Sequence, residues 1–177
     1  GTAPEKTTQL DTGVVYSGSR LSASVSAFYS DVDDYILIQT GYVKDMRTTT
    51  VTRNVEARTW GGEADAAYAL TARWSLTGTL AYTRGDNRTD DRPLAQMPPL
   101  ELRTGLDYRG QRWSAGALWR VVAEQDRYAL RQGNVVGQDL GRTGGFGVLS
   151  LNAGWKPTPA VLVSAGVDNL FDKAYGE

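Results

Sequence analysis

The sequence predicts an all-β protein built as a single antiparallel meander of about eight strands. Three observations support this fold class. Apolar and polar side chains alternate along segment after segment, short and long connections follow one another in strict turn, and aromatic residues recur at both ends of the strands. No segment has a convincing helical period and no long linker divides the chain, so residues 1–177 are expected to form one structural unit.

The alternation is clearest in the segment WSLTGTLAYTR. Trp74, Leu76 and Tyr82 fall on one face of an extended chain, and Thr77 and Thr79 fall on the other. Such a segment is predicted to be a strand with one apolar face and one hydroxyl-rich face. The predicted strands are Thr7 to Tyr16, Arg20 to Tyr29, Thr59 to Leu70, Trp74 to Arg84, Leu100 to Tyr108, Arg112 to Val122, Phe146 to Trp155 and Val161 to Leu170.

The connections between these strands are of two kinds. The short ones contain SGS, TAR, RGQ and KPTPA, whereas the long ones cover residues 31–54, 85–99 and 123–145. Because the two kinds alternate, all short turns fall on one rim of the sheet and all long connections on the other. This asymmetry is typical of outer-membrane β-barrels, which have short periplasmic turns and long external loops.

The aromatic residues form two groups that fit the same picture. From Trp74 to Tyr82 the strand rises roughly 20 Å if it is tilted as in known barrels, which is close to the thickness of the apolar band. We therefore predict two membrane-interface girdles. The residues beside the short turns are Tyr16, Trp74, Tyr108, Trp113 and Trp155, and those near the long connections are Tyr29, Trp60, Tyr82 and Trp119.

The opposite face of these strands is polar. Glu63, Asp65, Glu101, Arg103 and Arg120 are predicted to face a wet lumen, while the apolar set faces lipid. A membrane sheet of this kind has to close into a barrel, since an open edge in hydrocarbon leaves backbone donors unpaired. A soluble β-sandwich binding module, which also alternates, is the alternative that the pattern leaves open.

The composition restricts the chemistry of the chain. It contains no cysteine and no histidine, so disulfides, thiolate or imidazole metal ligands and histidine-based catalysis are absent from these residues. The formal net charge of -1 gives no electrostatic reason to expect nucleic acid as a partner. We expect neither an enzyme nor a bound cofactor.

The end of the chain carries a recognisable motif. The segment from Asn169 to Tyr175 resembles the NLFDKxY signature on the penultimate barrel strand of TonB-dependent outer-membrane receptors, and upstream segments such as LSASVSAFYSDVDDYILIQ and GNVVGQDLG are similar to the copper-receptor branch of that family. The signature residues are Asn169, Leu170, Phe171, Asp172, Lys173 and Tyr175.

This resemblance implies a 22-stranded barrel in the bacterial outer membrane, filled by an N-terminal plug. Residues 1–177 would be the C-terminal portion of that barrel, about strands 14 to 21, with one external loop and a last strand expected after Glu177. The plug and the TonB box would lie outside these residues. The implied function is TonB-dependent uptake of a scarce metal, copper or a copper complex, with the TonB complex, outer-membrane lipid and lipopolysaccharide as partners.

Three other functions stay open beside this one. They are a receptor for siderophores or other iron complexes, a self-contained eight-stranded outer-membrane barrel of structural or adhesion type, and the soluble β-sandwich. Sulfur occurs only at Met46 and Met97, both in predicted external loops, and thioether suits Cu(I). Met97 is the candidate metal ligand, and the ordinary alternative for either methionine is a surface or gap-filling role.

Overall fold

The structure is a computed structural model that describes residues 1–176, and its strands form one antiparallel sheet. Eight strands follow one another across the sheet in chain order, and two short strands lie beside them. The eight are β1 (Lys6–Ser17), β2 (Leu21–Lys44), β3 (Arg47–Ala69), β4 (Trp74–Asn87), β6 (Glu101–Arg109), β7 (Trp113–Val122), β9 (Phe146–Thr158) and β10 (Val161–Val167), and the short ones are β5 (Arg92–Pro93) and β8 (Gln132–Gly133).

The predicted meander is confirmed in its class and its order. Every pair of neighbouring long strands is antiparallel, and the four connections predicted to be short all lie at one rim. Within residues 1–176 the sheet is open, with β1 at one edge and β10 at the other. A closed eight-stranded barrel would pair those two strands, and a sandwich would need a second sheet, so neither alternative architecture is observed in this part of the chain.

The prediction of a long loop over residues 31–54 is wrong. β2 and β3 run on through this segment and close in a tight turn at Asp45 and Met46, whose φ angles are 49° and 58°. Two residues with positive φ form the type I′ turn that matches the twist of a hairpin. This turn usually contains glycine, and the absence of glycine at these two positions hid the hairpin from sequence analysis.

Two irregularities in the strand pairing also made the hairpin hard to predict from the sequence. The β2–β3 register shifts between Val32 and Tyr35 and again between Gln39 and Tyr42. Asp34, with φ of 59°, and Gly41, with φ of 71°, lie at these two shifts. Because a bulge inserts an extra residue, the apolar alternation changes phase at each one, and the period of two is lost over the whole segment.

The last predicted strand is too long at its end. β10 ends at Val167 instead of Leu170, because Asn169 adopts a φ of 50° that leaves the extended region. The two short strands were not predicted. β5 pairs with the end of β4, and β8 pairs with β2. The predicted strands that correspond to β1, β4, β6, β7 and β9 agree with the observed ones to within about three residues at each end, whereas β2 runs on to Lys44 instead of ending at Tyr29 and β3 begins at Arg47 instead of Thr59.

The register sorts side chains onto two faces. Leu76, Leu106, Ala117, Leu151 and Val167 lie opposite one another across five strands and form an apolar row on one face. The four large members of this row remain between 37% and 44% exposed, as expected for a surface that lipid covers. The other face carries the charged residues predicted to line a lumen.

The buried core lies at the rim of the long connections. Leu37 on the β2 extension and Leu94 in the β4–β6 connection are 1% and 2% exposed, and Asn87 is 1% exposed. The part of the sheet between the two rims has few buried side chains. The long connections therefore pack on one another and on the β2–β3 hairpin. Among residues 1–176 there is no helix that is long and apolar enough to cross a membrane.

Candidate functional site

The β7–β9 connection folds back over the sheet and binds the extended part of β2. Its β8 strand places Gly133 opposite Ile38 and Gln132 opposite Gln39. The backbone N–H of Thr40 donates a 2.9 Å hydrogen bond to the carbonyl oxygen of Arg131. These contacts join two segments that are separated by three intervening long strands, so the connection covers one face of the sheet.

Asp139 links this connection to the one between β4 and β6. One carboxylate oxygen accepts a 2.9 Å hydrogen bond from the backbone N–H of Gln96, and the other accepts a 2.8 Å bond from the backbone N–H of Ala129. Gln96 in turn accepts a bond of 3.1 Å from the backbone N–H of Asn134. We call the joined connections 88–100 and 123–145, with the hairpin from Tyr35 to Val55, the loop layer.

A cavity of ≈ 740 Å³ lies under the loop layer on the charged face of the sheet. Its size is within the range of sites for small molecules and metal complexes. One side is formed by strand residues and the other by the two connections. The strand residues are Ala81, Thr83, Glu101, Arg120, Val122 and Phe146, and the residues from the connections include Gln96, Met97, Tyr128, Gln138 and Asp139.

A group of three charged residues lies at the edge of this cavity. Glu101 accepts a 2.8 Å hydrogen bond from Nη2 of Arg120 and a second bond from Nε of Arg103. Arg103 and Arg120 lie opposite each other on β6 and β7, so the carboxylate offsets the repulsion between two adjacent guanidinium groups. Glu63 and Asp65, further along the same face, line a neighbouring hollow with Glu101 and Arg103.

The signature segment reaches this cavity through its tyrosine. The ring of Tyr175 stacks on the ring of Phe146, with centroids 4.1 Å apart and planes 16° from parallel. The guanidinium carbon of Arg120 lies 5.3 Å from the centroid of the same Phe146 ring, within the range of a cation–π contact. The end of the chain is therefore held against the charged group.

The remaining signature residues form a turn after β10. Asn169 and Asp172 both have φ of 50°, a conformation that asparagine and aspartate tolerate better than most residues. The Asn169 side chain accepts a 2.9 Å bond from the backbone N–H of Lys173 and donates a 3.1 Å bond to its carbonyl oxygen. Leu170 stays attached to β9 by a backbone bond to Leu149, while Phe171 is 75% exposed.

The nine aromatic residues predicted for the girdles all lie on the apolar face or at its edges, and six of them form three ring pairs. The pairs are Trp74 with Tyr108 at 5.1 Å, Trp113 with Trp155 at 5.5 Å, and Trp60 with Tyr82 at 5.6 Å between ring centroids. Tyr29 lies opposite Trp60 in the register, Trp119 lies opposite Thr104 and Leu149, and Tyr16 lies near the first short turn.

The two methionines occupy different environments. Met97 lines the cavity and packs over Gly85, where a Cβ atom would meet the Met97 sulfur at 2.5 Å. Met46 lies at the tip of the hairpin and is 99% exposed. Among residues 1–176, no group of three or more acidic side chains is placed to hold a metal ion.

Comparison with known proteins identifies the family. The sequence model of the family described as TonB-dependent receptor-like, β-barrel, matches residues 1–170. The chain belongs to the TonB-dependent receptor family. It is therefore an outer-membrane chain, and its short turns face the periplasm while the loop layer faces outward, as in other outer-membrane barrels.

Two solved receptors resemble this chain to different degrees. The chain is 52% identical to a copper transporter named OprC, with a TM-score of 0.91 over 98% of this chain and 27% of the transporter. It is 20% identical to the FrpB iron transporter from Neisseria meningitidis, with a TM-score of 0.70 over 99% of this chain and 28% of that transporter. The second similarity shows a common fold.

A curated relative comes from Vibrio cholerae serotype O1. It is an iron-regulated outer membrane virulence protein, 25% identical over 183 aligned residues that cover 96% of this chain. The chain spans 28% of the length of that relative.

Sequence analysis missed the residues that hold the loop layer together. No sequence pattern pointed to the hydrogen bond between Asp139 and Gln96 or to the ion pair between Arg53 and Asp90. The two residues of each pair are 43 and 37 positions apart in the chain, respectively. The charged group at the cavity was predicted to face the lumen, and the structure adds which of its members are in contact.

Proposed function

We propose that this chain forms part of the wall of an active transport receptor that takes up a scarce metal, with copper or a copper complex as the favoured substrate. The supporting observation is the 52% identity with the copper transporter over 98% of the chain, against 25% with the curated iron-regulated relative. The aligned region covers 98% of the chain and therefore includes the long connections, which in a receptor meet the substrate.

The cavity under the loop layer supports this proposal. A cavity of ≈ 740 Å³ lies between the loop layer and the lumenal face, and polar side chains of Glu101, Arg120, Gln96 and Gln138 line it. A hydrated metal complex could exchange its water for these groups while it moves inward. The aromatic rings on the opposite face would lie at the two membrane interfaces, which is the position that tryptophan and tyrosine prefer.

In the proposed receptor, residues 1–177 are a C-terminal portion of a 22-stranded barrel, and the plug and the TonB box belong to the rest of the protein. Energy would come from the TonB complex through that other part. Lipopolysaccharide would contact the outer half of the apolar face. The chain carries no catalytic step in this proposal, and it needs no resident cofactor.

The substrate can be tested with the full-length receptor. We expect deletion of its gene to lower copper accumulation in cells grown under copper limitation, and to leave uptake of ferric siderophores unchanged. Elemental mass spectrometry of washed cells measures both metals in one sample. A loss of iron with unchanged copper would contradict the proposal.

Met97 is the residue of this chain that we propose as a copper contact. Its sulfur lies at the wall of the cavity, and thioether is a ligand that Cu(I) accepts. Met97→Leu keeps the volume and removes this ligand, so we expect weaker copper uptake at limiting concentration. Met46→Leu is the matched control, because Met46 is not among the residues that line the cavity. Equal uptake by both variants would show that Met97 only fills space over Gly85.

Uptake of an iron complex is the second candidate function. The observation that favours it is the match to the iron-regulated outer membrane virulence protein over 96% of the chain. A receptor for ferric siderophores would use the same cavity, since the charged group of Glu101, Arg103 and Arg120 can bind anionic groups of a large complex. Growth on ferric siderophores as the sole iron source separates the two functions.

A further inference from the structure

Basic residues lie where strands β4, β6, β7 and β9 meet their short turns. Each of these four strand ends carries one cation, and all four side chains are exposed. The short turns between β3 and β4, between β6 and β7, and between β9 and β10 contain no acidic residue. We call these four cations the basic rim: Arg73, Arg109, Arg112 and Lys156.

The basic rim lies on the lumenal face of the sheet. Arg109 is in phase with Arg103 on β6, and Lys156 is in phase with Asn152 on β9. Because successive side chains of a strand point to opposite faces, both cations lie across the sheet from the aromatic residues next to them in the chain. The cations therefore face the lumen, and the aromatic rings face the lipid.

The four cations form two like-charge pairs across neighbouring strands. The backbone N–H of Arg109 donates a 2.8 Å hydrogen bond to the carbonyl oxygen of Arg73, and the N–H of Lys156 donates a 2.8 Å bond to the carbonyl oxygen of Arg112. Each bond extends an observed ladder by one residue, so the members of each pair lie opposite each other on the same face. Like charges in this arrangement repel each other.

No carboxylate of the described residues offsets this repulsion. Within residues 1–176, none of the four side chains forms an ion pair or a side-chain hydrogen bond. Asp107 lies two positions before Arg109 on the same face of β6. Its carboxylate is directed over Gly116, where a Cβ atom would meet Oδ1 of Asp107 at 2.9 Å, and it does not pair with Arg109.

A pair of the same kind, further out on the lumenal face, does have its carboxylate. Arg103 and Arg120 lie opposite each other on β6 and β7, and Glu101 forms an ion pair with both. The basic rim repeats this arrangement of cations without the acidic residue. The missing negative charge is therefore expected to come from a group outside residues 1–176 that reaches the lumenal face.

We propose that the basic rim binds an acidic segment of the plug at the periplasmic end of the lumen. Carboxylates of that segment would lie between the members of each cation pair, as Glu101 lies between its two arginines. Lipid phosphates are the other negative charges near this rim, but the lipid lies on the opposite face of the sheet.

This inference rests on the proposed function, which places a plug in the lumen. It goes beyond that function by assigning the charge of the docked segment and the four residues that hold it. The chain spans 27% of the length of the copper transporter that it matches, so most of a receptor of that size lies outside this sheet.

Cross-linking of the full-length, metal-free receptor in detergent tests this contact. A water-soluble carbodiimide joins an amine to a carboxylate only where the two groups touch. We expect a link from Lys156 to an aspartate or glutamate of the plug, identified by mass spectrometry of the linked peptides. Arg112→Lys keeps the charge and adds an amine, so it should give a second link to the same segment.

Lys44 is the matched control amine. It is exposed and lies opposite Arg47 near the tip of the external hairpin, so it should give no link to the segment that Lys156 reaches. The absence of a link from Lys156 would overturn the proposal. Links from Lys156 only to carboxylates of residues 1–177, or an equal link from Lys44 to the same segment, would also overturn it.

Hydrogen exchange provides a second test that does not depend on cross-linking. Arg112→Gln/Lys156→Gln removes one cation pair, and the linked segment should then lose protection and exchange faster than in the wild type. Lys44→Gln/Arg47→Gln removes a like-charge pair from the external hairpin and should leave the exchange of that segment unchanged. A heat-dependent shift in gel mobility verifies that both variants are folded. Equal protection of the segment in wild type and Arg112→Gln/Lys156→Gln would contradict the proposal.

Both measurements use the receptor without metal, so their outcome is separate from that of the uptake experiment. A receptor that gives the link from Lys156 but accumulates no copper would refute the transport proposal alone. A receptor that accumulates copper without giving this link would refute only the docking of an acidic segment at the basic rim.

Discussion

The carboxylate of Asp139 accepts a 2.9 Å hydrogen bond from the backbone N–H of Gln96, a residue in a different external connection. Its other oxygen accepts from Ala129, so one side chain fixes two partly buried donors. In Asp139→Ala both donors lose this acceptor, at about 1–3 kcal/mol each if they stay buried. We expect the loop layer to open more often. When intact cells are treated with trypsin, the receptor should therefore be cleaved faster at Arg131.

The control for this experiment lies in the same connection. Asp126 is an exposed carboxylate, and no hydrogen bond to its side chain is found within the described part of the chain. Asp126→Asn should therefore leave the cleavage rate unchanged. Equal cleavage of wild type and Asp139→Ala would show that the connections are held together by apolar packing instead.

The Arg53–Asp90 ion pair is expected to make the stability of the loop layer sensitive to acid. Arg53 donates two hydrogen bonds to Asp90, and Nδ2 of Asn87 donates a third at 2.8 Å. The hydrogen bond from Arg53 is the main cause that lowers the pKa of Asp90 below its usual value. A lowered pKa in the folded state stabilises the fold at pH values above the ordinary carboxyl pKa. This stabilisation is lost as the pH falls through the lowered pKa.

We therefore predict that Asp90→Asn weakens the protection of residues 88–100 against hydrogen exchange at neutral pH. The difference from wild type should shrink as the pH falls below about 4. Measuring both proteins at each pH removes the intrinsic pH dependence of exchange. A difference that stays constant over this range would mean that the charge of Asp90 has no part in the protection.

Trp113 and Trp155 form the most nearly parallel ring pair at the periplasmic rim, with planes 15° apart. A double-mutant cycle with Trp113→Ala and Trp155→Ala should give a coupling energy of about 0.5–1.5 kcal/mol. Urea unfolding of the full-length receptor in lipid vesicles provides the four free energies. Trp119 lies on the same strand as Trp113 but makes no ring contact with Trp155, so a cycle between Trp119 and Trp155 should be additive within error.

Gly61 is predicted to be intolerant of a side chain. A Cβ atom at this position would lie 2.1 Å from the backbone oxygen of Tyr82, a contact that only a backbone shift relieves. We expect Gly61→Ala to destabilise the barrel by about 1–3 kcal/mol, as measured by urea unfolding. Gly78→Ala, on the neighbouring strand, is the control, because its nearest atom would be 3.9 Å away. Equal stability of both variants would contradict the close approach of β3 and β4 at Gly61.

Much of the candidate site could be located from sequence, but its contacts could not. Glu101, Arg103 and Arg120 were predicted on the lumenal face because a period of two is a local property of the chain. Their ion pairs depend on which strands are neighbours and in which register, and that register places Arg103 opposite Arg120. The stacking of Tyr175 on Phe146 likewise depends on the turn that Asn169 forms after β10.

The sequence by itself determined most of the long strands, the two faces of the sheet and the short turns at one rim, and the resemblance of the segment from Asn169 to Tyr175 indicated the family. The strands and their faces follow from local alternation, because lipid and water select side chains residue by residue. Only the tertiary structure decided that residues 31–54 form a hairpin and that the loop layer contains the buried core. Both depend on contacts between residues that are distant in the chain, such as Asp139 with Gln96 and Gln132 with Gln39, and local periodicity carries no information about those contacts.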